Sequence, residues 1–596
     1  MSSRIEEYAL IGDCETGALV GRDGSIDWLC LPRFDSDACF AALLGTTDNG
    51  RWILSPGQEC RAIRRHYRGD SLVLETRYET DCGTVDVIDF MPMRTTAPAL
   101  VRIVEGVTGR VPMRMQLLLR FGYGRIVPWV QRNGKGIRAI GGPDGVLLQA
   151  DVDVHGEDLT SVADFMVAPG QRIAFSLKWF ESHRDSPEPL DAAQMLHETE
   201  QWWSDWVSRS TYRGKWREAV TRSLITLKAL TYAPTGGIIA APTTSLPEKI
   251  GGSRNWDYRY CWLRDATMTL FALLSAGYTE ESAAWREWLL RAVAGSPSDL
   301  QIAYGVRGER RLPELALDWL TGYENSRPVR IGNAACEQFQ LDVYGELLDA
   351  MFQSRCTGLE PEAAAWNLEC ALVRFVETAW HLPDEGIWEI RGPRQHFTHS
   401  KVMAWVAIDR AVKSIKRFGL EGPLDEWQRL RTKIHDDVCS QGYSDRLNSF
   451  VQVYGSEELD AALLMIPLVG FLSADDPRVR GTVHAIEREL LDEGFLRRYA
   501  TSNRVDGLPP GEGVFLPCTF WLADNYVLTG RIGEAQEVFE RLLELRNDVG
   551  LLAEQYDPHN ARLSGNFPQA LSHIALINTA TNLSRTDGAA KLRSRN

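Results

Sequence analysis

Short runs of apolar and β-branched residues dominate the chain up to residue 189. Gly, Asp, Asn and Pro separate these runs, at a spacing typical of an antiparallel β-sandwich. Asp23-Gly24 divides the first run, and such a pair tolerates the positive φ angles of a type I′ hairpin turn. We therefore predict an N-terminal β-sandwich domain over residues 1–189. The predicted strand regions are 17–31, 71–80, 84–93, 100–109, 145–154 and 172–182.

Beyond residue 189 the apolar residues recur every three to four positions, as they do along one face of an α-helix. This periodicity predicts a helical linker over 190–214 and a domain of twelve helices over 215–596, with Asp476-Pro477 as the start of the ninth helix. The predicted helices are 216–232, 265–277, 279–293, 334–354, 360–380, 400–418, 424–439, 457–471, 477–491, 518–529, 532–546 and 567–583.

The connections between these helices alternate in length. Those after the odd-numbered helices are long and those after the even-numbered helices are short, so helices that run alternately up and down collect every long connection at one end. Six helix pairs closed in a ring, an (α/α)6 barrel, satisfy this pattern, and so does an open solenoid of helix pairs. The chain has no fixed-period sequence repeat, which favours the barrel.

Composition narrows the classes of function. The 65 Lys+Arg and 80 Asp+Glu give a formal net charge of −15, which offers a nucleic-acid backbone no general attraction. No apolar run approaches the roughly 20 residues of a membrane-spanning helix, and the opening MSSRIEEYALIGD does not resemble a signal peptide. Eleven cysteines without a C-x-x-C pair indicate reduced thiols rather than a metal site. We expect a cytoplasmic protein that binds neither nucleic acid nor membrane and has no cofactor. The sequence is compatible with both a monomer and a homo-oligomer.

The long connections hold the candidate chemistry, because loops on a rigid scaffold carry most functional residues. The first ends in GGSRNWDYRYCWLRD at 251–265, which combines planar hydrogen-bond donors, carboxylates and flat rings. A polyhydroxylated ligand requires such groups, and the 19 tryptophans of the chain suit a sugar site as well as a large core. A charge-laced loop that only bridges helices is the competing interpretation.

Two further loops each carry a glutamate with apolar neighbours. Glu389 follows Ile387-Trp388, and Glu554 follows a Leu-Leu-Ala triplet. Such surroundings raise a carboxyl pKa by desolvation, as a general acid at neutral pH requires. Glycoside hydrolysis uses two carboxyl groups, one to protonate the leaving oxygen and one to activate water or attack the sugar. For either glutamate alone a solvated loop carboxylate is the competing interpretation, because other carboxylates lie on the same loops.

The segments around these residues resemble glycoside hydrolase family 15, which comprises glucoamylases, glucodextranases and prokaryotic trehalases. NWDYRYCWLRD, IWEIRG and AEQYD resemble the three active-site loops of the family, and IGDCETGALVGRDGSIDWLCLPRFDS resembles the N-terminal signature of its prokaryotic members. The resemblance covers almost the whole chain. It implies a β-sandwich followed by an (α/α)6 barrel, in agreement with the fold that the apolar pattern predicts.

The resemblance also implies site residues. It makes Glu389 the general acid and Glu554 the base that activates water, with inversion at the anomeric carbon and carboxyl groups roughly 6.5–9.5 Å apart. Arg264 and Asp265 are expected to bind the terminal glucose, and Arg498 resembles an arginine of the same subsite. The remaining candidates for substrate binding, some of them only polar residues on rim loops, are Trp256, Asp257, Tyr258, Arg330, Asn333, Trp388, His399 and Glu512.

One departure from the family bears on the substrate. Ile390 follows the acid, where fungal-type glucoamylases have a second glutamate that binds the next sugar of starch. With no starch-binding segment and no secretion signal in the sequence, this favours a small internal sugar, and an inverting α,α-trehalase is the first expectation. A glucoamylase or isomalto-type exo-glucosidase is the second, and a non-catalytic sugar-binding barrel is the third. The presence of both glutamates is the feature that separates a hydrolase from a binder.

Overall fold

The computed structural model describes residues 3–356, 363–501 and 506–584, without the side chains of residues 265–267, 271, 363 and 364. Within residues 3–190, sixteen strands and a four-residue helical turn, Phe121–Gly124, form the N-terminal domain. The strands are β1 (Tyr8–Gly12), β2 (Gly17–Gly21), β3 (Ser25–Cys30), β4 (Ala38–Phe40), β5 (Arg51–Pro56), β6 (Cys60–Tyr67), β7 (Leu74–Thr80), β8 (Gly83–Phe90), β9 (Ala99–Gly109), β10 (Val111–Leu118), β11 (Trp129–Asn133), β12 (Gly136–Gly141), β13 (Asp144–Ala150), β14 (His155–Glu157), β15 (Thr160–Val167) and β16 (Arg172–Glu181).

These strands form two antiparallel sheets, which confirms the predicted sandwich. One sheet has the order β1-β2-β3-β5-β10-β15-β14, with β4 paired to β3, and the other has the order β11-β12-β13-β16-β9-β8-β7-β6. In β10 buried and half-buried residues alternate, as expected of a strand with one face in the core. Every residue of β1, β2 and β3 is buried, because these strands also pack against the helical domain.

The hairpin at Asp23-Gly24 is confirmed, whereas its predicted type I′ turn is wrong. Three residues, 22–24, join β2 to β3, and of these only Gly24 has a positive φ, of 84°. A three-residue loop of this kind needs one residue in the left-handed region, which here is Gly24. A separate irregularity in the register of β2 with β3 lies between Leu19 and Val20. A Cβ at Gly24 would lie 2.5 Å from the carbonyl oxygen of Leu54, so glycine is required there.

The second half of the chain is helical. A linking helix, α1, begins after Asp191, whose side chain accepts hydrogen bonds from the amides of Ala193 and Gln194. The helices of the described residues are α1 (Ala192–Ser208), α2 (Arg217–Ala229), α3 (Leu263–Ser275), α4 (Thr279–Ala292), α5 (Asp342–Cys356), α6 (Ala363–Ala379), α7 (Thr398–Phe418), α8 (Leu424–Gln441), α9 (Met465–Leu468, after a 3-10 turn at Ala461–Leu464), α10 (Pro477–Leu490), α11 (Leu516–Leu528), α12 (Ile532–Leu543) and α13 (Ala570–Ser584).

Six of these helices form a closed inner ring. α3, α5, α7, α9 with its 3-10 turn, α11 and α13 each contact the next, and α13 contacts α3. The intervening helices lie outside this ring, so the domain is the (α/α)6 barrel and the open solenoid is wrong. Each long connection leads from an outer helix to the next inner helix. All of them therefore meet at the rim formed by the N-terminal ends of the inner helices, as the alternating loop lengths predict.

Two of the described helices differ from the sequence prediction by more than three residues at one end. The helix predicted over 334–354 begins only at Asp342, because Gln338 and its neighbours leave the helical path and contact the loop that carries Glu389. The helix predicted over 457–471 is reduced to a 3-10 turn and α9, because the chain before it is extended at Asp460 and Gly470 after it has a positive φ. The predicted start at Asp476-Pro477 is confirmed, since Asp476 accepts a hydrogen bond from the Arg478 amide at 2.9 Å.

Short paired strands stiffen the rim loops. Most pairs join two segments of one connection. Two groups join different connections: one pair links the connection before α3 to the connection after α4, and one three-stranded group links the connection before α11 to the connection after α12. The pairs are Thr231–Tyr232 with Gly237–Ile238, Thr244–Pro247 with Asn255–Asp257, Cys261–Trp262 with Ala303–Tyr304, Leu315–Ala316 with Arg330–Ile331, Tyr443–Ser444 with Ser449–Phe450, Leu491–Asp492 with Phe495–Leu496, and Val514–Phe515 with Gln555–Asp557 and Arg562–Ser564.

The sandwich and the barrel share one continuous hydrophobic core. Polar contacts also cross the boundary: the Trp28 indole donates to the Pro242 carbonyl at 2.8 Å, and Arg65 pairs with Asp548 at 2.7 Å. These contacts fix the sandwich against the loops of the barrel rim. None of the described helices combines the length and apolar character needed to cross a membrane.

Candidate active site

A cleft that is open to solvent lies at the rim where the long connections meet. Its described lining comes entirely from the barrel, and it includes both aromatic rings and charged side chains. Among the residues selected from the sequence, those that line it are Trp256, Tyr258, Arg264, Asn333, Trp388, Glu389 and Arg498.

Glu389 lies on the loop between α6 and α7, with its side chain 20% exposed to the cleft. Its Oε1 accepts hydrogen bonds from the Trp262 indole at 2.7 Å and from Nη2 of Arg264 at 3.3 Å. The φ angle of Glu389 is 55°, a left-handed conformation that L-residues rarely adopt outside functional sites. Two donors and an unusual backbone therefore fix the direction of this carboxyl group.

Gln338 holds the backbone of that loop. Its Nε2 donates to the carbonyl oxygens of Glu389 at 3.2 Å and Ile390 at 3.0 Å. The extended segment before α5 thus acts as a support for the strained turn. This is the physical reason that the helix starts later than its apolar pattern predicts.

Arg264 is in the first turn of α3, at the rim end of the inner ring. Its Nη1 lies 3.3 Å from Oε1 of Gln340 and 3.4 Å from Oδ2 of Asp342, while its Nη2 reaches Glu389. Arg264 therefore bridges the acidic start of α5 and the carboxyl group in the cleft. The side chain of Asp265, the next residue, lies outside the described part of the structure.

Glu554 is fully buried next to the strand Gln555–Asp557. Its Oε1 accepts from the Tyr258 hydroxyl at 3.0 Å, and its Oε2 accepts from the Asn566 amide at 3.1 Å. Gly565 has a φ of 75°, and a Cβ there would lie 2.5 Å from Oε2, so only glycine leaves room for the carboxylate. The backbone of this turn is thus shaped around Glu554.

The pKa of Glu554 lies well above its usual value. Burial is the largest cause, the negative charge of Glu248 adds to it, and the positive charge of Arg498 opposes it. The predicted effect of apolar surroundings on this glutamate is thereby confirmed. A carboxylate with a raised pKa is the stronger acceptor for a proton from water.

Two aromatic residues connect the glutamates. The Tyr258 and Trp262 rings meet edge to face, with centroids 5.3 Å apart. Tyr258 donates to Glu554 and Trp262 donates to Glu389. The contacts through these two rings thus link the positions of the two carboxyl groups.

Arg498 is held by acids from two loops. Its Nη2 lies 2.9 Å from Oε2 of Glu248, its Nε lies 3.1 Å from Oε1 of Glu512, and Nη2 also contacts Glu512. Its guanidinium carbon lies 5.7 Å from the ring centroid of Trp388 and 5.4 Å from that of Phe515. Glu512 therefore lies behind Arg498 and does not line the cleft.

Trp388 forms a wall of the cleft. Its indole donates to Oδ2 of Asp460 at 2.7 Å, and burial raises the pKa of Asp460 to about 7. The ring is tilted against Trp521, with centroids 6.3 Å apart. Flat apolar faces of this kind cover the C–H face of a sugar ring.

Five of the described residues selected from the sequence are not part of the lining. Two of these, Glu554 and Glu512, contact the lining residues Tyr258 and Arg498 instead. Asp257 is fully buried and binds Arg259 through both carboxylate oxygens, at 2.7 and 2.9 Å. Arg330 stacks on Trp256, with its guanidinium carbon 4.5 Å from the ring centroid. His399 is buried at the start of α7. Asn333, in contrast, lines the cleft, and its side chain caps the 3-10 turn that follows it.

Sequence reasoning missed several lining residues. Trp262 lies inside the WLRD stretch, and its contact with Glu389 requires only that the two loops meet. Glu248 comes before the motif, in LPEKIGG, where no spacing marks it. Trp521 is one of many apolar residues on α11, so nothing in its periodicity separates a cleft residue from a core residue.

One set of described side chains brings metal-ligand atoms close together. His155, Glu157 and Asp164 place one such atom each within 4.8 Å of one another, and all three are exposed. They lie on the sandwich, outside the cleft, and Arg114 already pairs with both Glu157 and Asp164. Such a charge-paired surface cluster is typical of a solvated strand face.

A closed (α/α)6 barrel with an aromatic cleft, with Glu389 in the lining of that cleft and a second glutamate, Glu554, buried against the lining residue Tyr258, is the architecture of a glycoside hydrolase. Residues 214–581 match the family described as glycosyl hydrolases family 15, and residues 1–203 match a domain described as trehalase-like, N-terminal. The chain belongs to glycosyl hydrolase family 15.

Curated relatives match over nearly their full length. The chain is 37% identical to a trehalase of Mycolicibacterium smegmatis, over 98% of this chain and 92% of the relative. It is 38% identical to a trehalase of Mycobacterium tuberculosis, over 98% and 90%. A crystal structure of a bacterial glucoamylase complexed with acarbose superposes with a TM-score of 0.73 at 12% identity, over 98% of this chain and 94% of that one. This superposition shows the fold.

Proposed function

We propose that this protein hydrolyses α,α-trehalose to two glucose molecules with inversion at the attacked carbon. The observation that carries the proposal is the pair of glutamates, each oriented by its own donors and joined through Tyr258 and Trp262. Both mycobacterial relatives are named trehalases and align with this chain almost end to end, which supports the choice of substrate.

In the proposed mechanism Glu389 donates its proton to the glycosidic oxygen as the bond from that oxygen to C1 breaks. Glu554 accepts a proton from a water molecule whose oxygen forms the new bond to C1 from the opposite face. The attacked sugar leaves as β-glucose and the other as α-glucose. The proton gained by Glu554 and the one lost by Glu389 are then exchanged with solvent, which completes the cycle.

The surrounding residues have supporting roles in this proposal. Trp262 and Arg264 orient Glu389, and the Arg264 charge stabilises the carboxylate that remains after proton donation. Tyr258 and the Asn566 amide orient Glu554 toward the water. Trp388 faces the terminal glucose, and Arg264 and Asn333 donate to its hydroxyls.

The proposal includes a cytoplasmic location and needs no metal or cofactor, because side chains of the protein supply both proton-transfer groups. Treatment of the purified enzyme with a chelator is expected to leave the rate unchanged. Fractionation of cells that express the protein, followed by an activity assay on each fraction, tests the location.

Glucose release from trehalose, maltose, isomaltose and soluble starch, with the product anomers followed by NMR, tests the function. We expect cleavage of trehalose, with β-glucose and α-glucose appearing in equal amounts before mutarotation. Release from maltose or starch in preference to trehalose would make the protein a glucoamylase or isomalto-type exo-glucosidase. Binding of trehalose without cleavage of any of the four substrates would favour the non-catalytic barrel.

A further inference from the structure

The cleft has a buried floor and an open mouth. Trp262, Trp521 and Leu571 line the floor and are buried, whereas Trp256 and Arg391 line the mouth and are partly exposed. Glu389 lines the same cleft, two residues before Arg391 on the same loop. In the proposed mechanism the attacked sugar lies toward the buried floor and the leaving sugar toward the mouth.

Two arginines lie over the ring of Trp256 at the mouth. The guanidinium carbon of Arg330 lies 4.5 Å from the ring centroid, and that of Arg391 lies 4.7 Å from it. Glu314 contacts both arginines, with Oε2 2.9 Å from Nη2 of Arg391 and Oε1 3.5 Å from Nε of Arg330. One carboxylate thus holds two cations on one indole, and the cluster keeps a net positive charge.

Backbone contacts anchor this cluster to several rim loops. Nη1 of Arg330 donates to the carbonyl oxygens of Ser253 and Asn255, both at 3.0 Å. The amide of Arg391 donates to the carbonyl oxygen of Asp506 at 2.9 Å. The cluster is therefore set in place before any ligand arrives, which lowers the entropic cost of binding.

Arg391, two residues after Glu389, is the first polar side chain beyond that glutamate, and it lines the mouth of the cleft. Ile390 is 2% exposed and packs with Phe397 and Val453, so the position directly after Glu389 offers a ligand no hydrogen bond. Of the five N–H donors of the Arg391 guanidinium, the described residues accept only from Nη2. The Nε and Nη1 donors remain for a ligand in the cleft.

We propose that Arg391, fixed on Trp256 by Glu314, is a specificity-determining residue that binds the hydroxyls of the leaving sugar and limits the mouth to one such sugar. This inference rests on the proposed hydrolysis of a disaccharide and identifies how its second glucose is recognised. The guanidinium donates to the hydroxyls while the indole covers the C–H face. A third sugar would meet the charged cluster of Arg330, Arg391 and Glu314.

Substitution of Arg391 by alanine tests this role. Loss of charge-assisted hydrogen bonds predicts a fall of about 10- to 100-fold in kcat/KM for trehalose, mainly through KM. α-Glucosyl fluoride has no leaving sugar, so its kcat/KM is expected to fall far less. The ratio of kcat/KM for maltotriose to that for trehalose is expected to rise. Arg391→Lys keeps the charge but loses the planar fork, and it is expected to give an intermediate loss.

Arg394→Ala is the matched control, because Arg394 lies on the same loop but pairs with Glu385 outside the cleft lining. This variant is expected to have the wild-type kcat/KM for trehalose, α-glucosyl fluoride and maltotriose. Glu314→Gln, which loosens Arg391, is expected to act in the same direction as Arg391→Ala with a smaller effect.

Equal losses on trehalose and α-glucosyl fluoride in both Arg391 variants would mean that Arg391 only supports the loop, and the proposal would be rejected. Unchanged kinetics in Arg391→Ala would also overturn it, while the wild-type activity on trehalose would still support the proposed function. A wild-type enzyme that cleaves none of these substrates would reject both.

Discussion

Glu554 is fully buried beside a small sheet, in contact with the cleft residue Tyr258, and the backbone turn at Gly565 leaves room for its carboxylate. Glu389, in contrast, is 20% exposed in the cleft, on a loop whose backbone is left-handed at that residue. In the proposed mechanism the base keeps a fixed direction toward water, which burial provides. The acid regains a proton from solvent in every cycle, which requires access. The same residue type would thus acquire two roles from two environments.

Glu554→Gln is expected to produce the largest effect. Without the base, no group takes the proton from water, so kcat should fall by about 10²–10⁴-fold on trehalose and on α-glucosyl fluoride alike. Initial-rate assays on both substrates measure this, with the thermal unfolding temperature as the control for folding. A normal rate on the fluoride would assign the base to another residue.

Glu389→Gln is expected to separate the two substrates. The fall on trehalose should again be about 10²–10⁴-fold, because its leaving group needs a proton. Fluoride leaves without full protonation, so the same variant should retain most of its rate on α-glucosyl fluoride. Equal losses on both substrates would remove the distinction between the acid and base sides.

In the proposed mechanism, the acidic limb of the pH profile, where kcat/KM falls as the pH decreases, reports the protonation of Glu554. Below its raised pKa Glu554 is protonated and cannot accept a proton, so kcat/KM on trehalose should fall with decreasing pH well above the ~4.3 of an ordinary glutamate. Tyr258→Phe removes a hydrogen bond that lowers this pKa and should move the limb to higher pH. Glu248→Gln removes a neighbouring negative charge and should move it to lower pH.

Tyr454→Phe serves as the matched control for the pH measurement, because the Tyr454 hydroxyl binds Asp437 outside the cleft lining. Its profile should match the wild type. Shifts of the Tyr258 and Glu248 variants in the same direction would contradict the assignment of the limb to Glu554.

Gln338→Ala is expected to have the smallest effect, confined to the acid side. It removes two hydrogen bonds that hold the loop at Glu389 and Ile390, each worth about 1 kcal/mol. We expect a fall of less than about tenfold in kcat on trehalose, with little change on the fluoride. A larger loss on the fluoride than on trehalose would show that the loop also shapes the base side.

The sequence predicts the layout of the barrel well, because buried faces impose the helical period and loop lengths follow from the direction of each helix. The sequence-based prediction fails at segments whose conformation is set by contacts with the candidate active site. Residues 338–341 keep an apolar pattern but leave the helix, since Gln338 supports the acid loop. The motif residue Asp257 has the chemistry of a sugar ligand, yet it is occupied by Arg259. Contacts between distant loops, such as Trp262 with Glu389, have no local signal.

The residues that line the described cleft come from the long connections and the first two turns of the inner helices, so the short connections within the described residues contribute none of them. The turns that follow α7 and α11 include Gly419 and Gly530, both exposed and each with open space around the position of a Cβ. A peptide tag or a linker to a solid support inserted in these turns would project away from the catalytic rim. Enzyme immobilised through these turns would keep its cleft accessible to substrate in solution. This end of the barrel is therefore the attachment point of choice for a sugar biosensor.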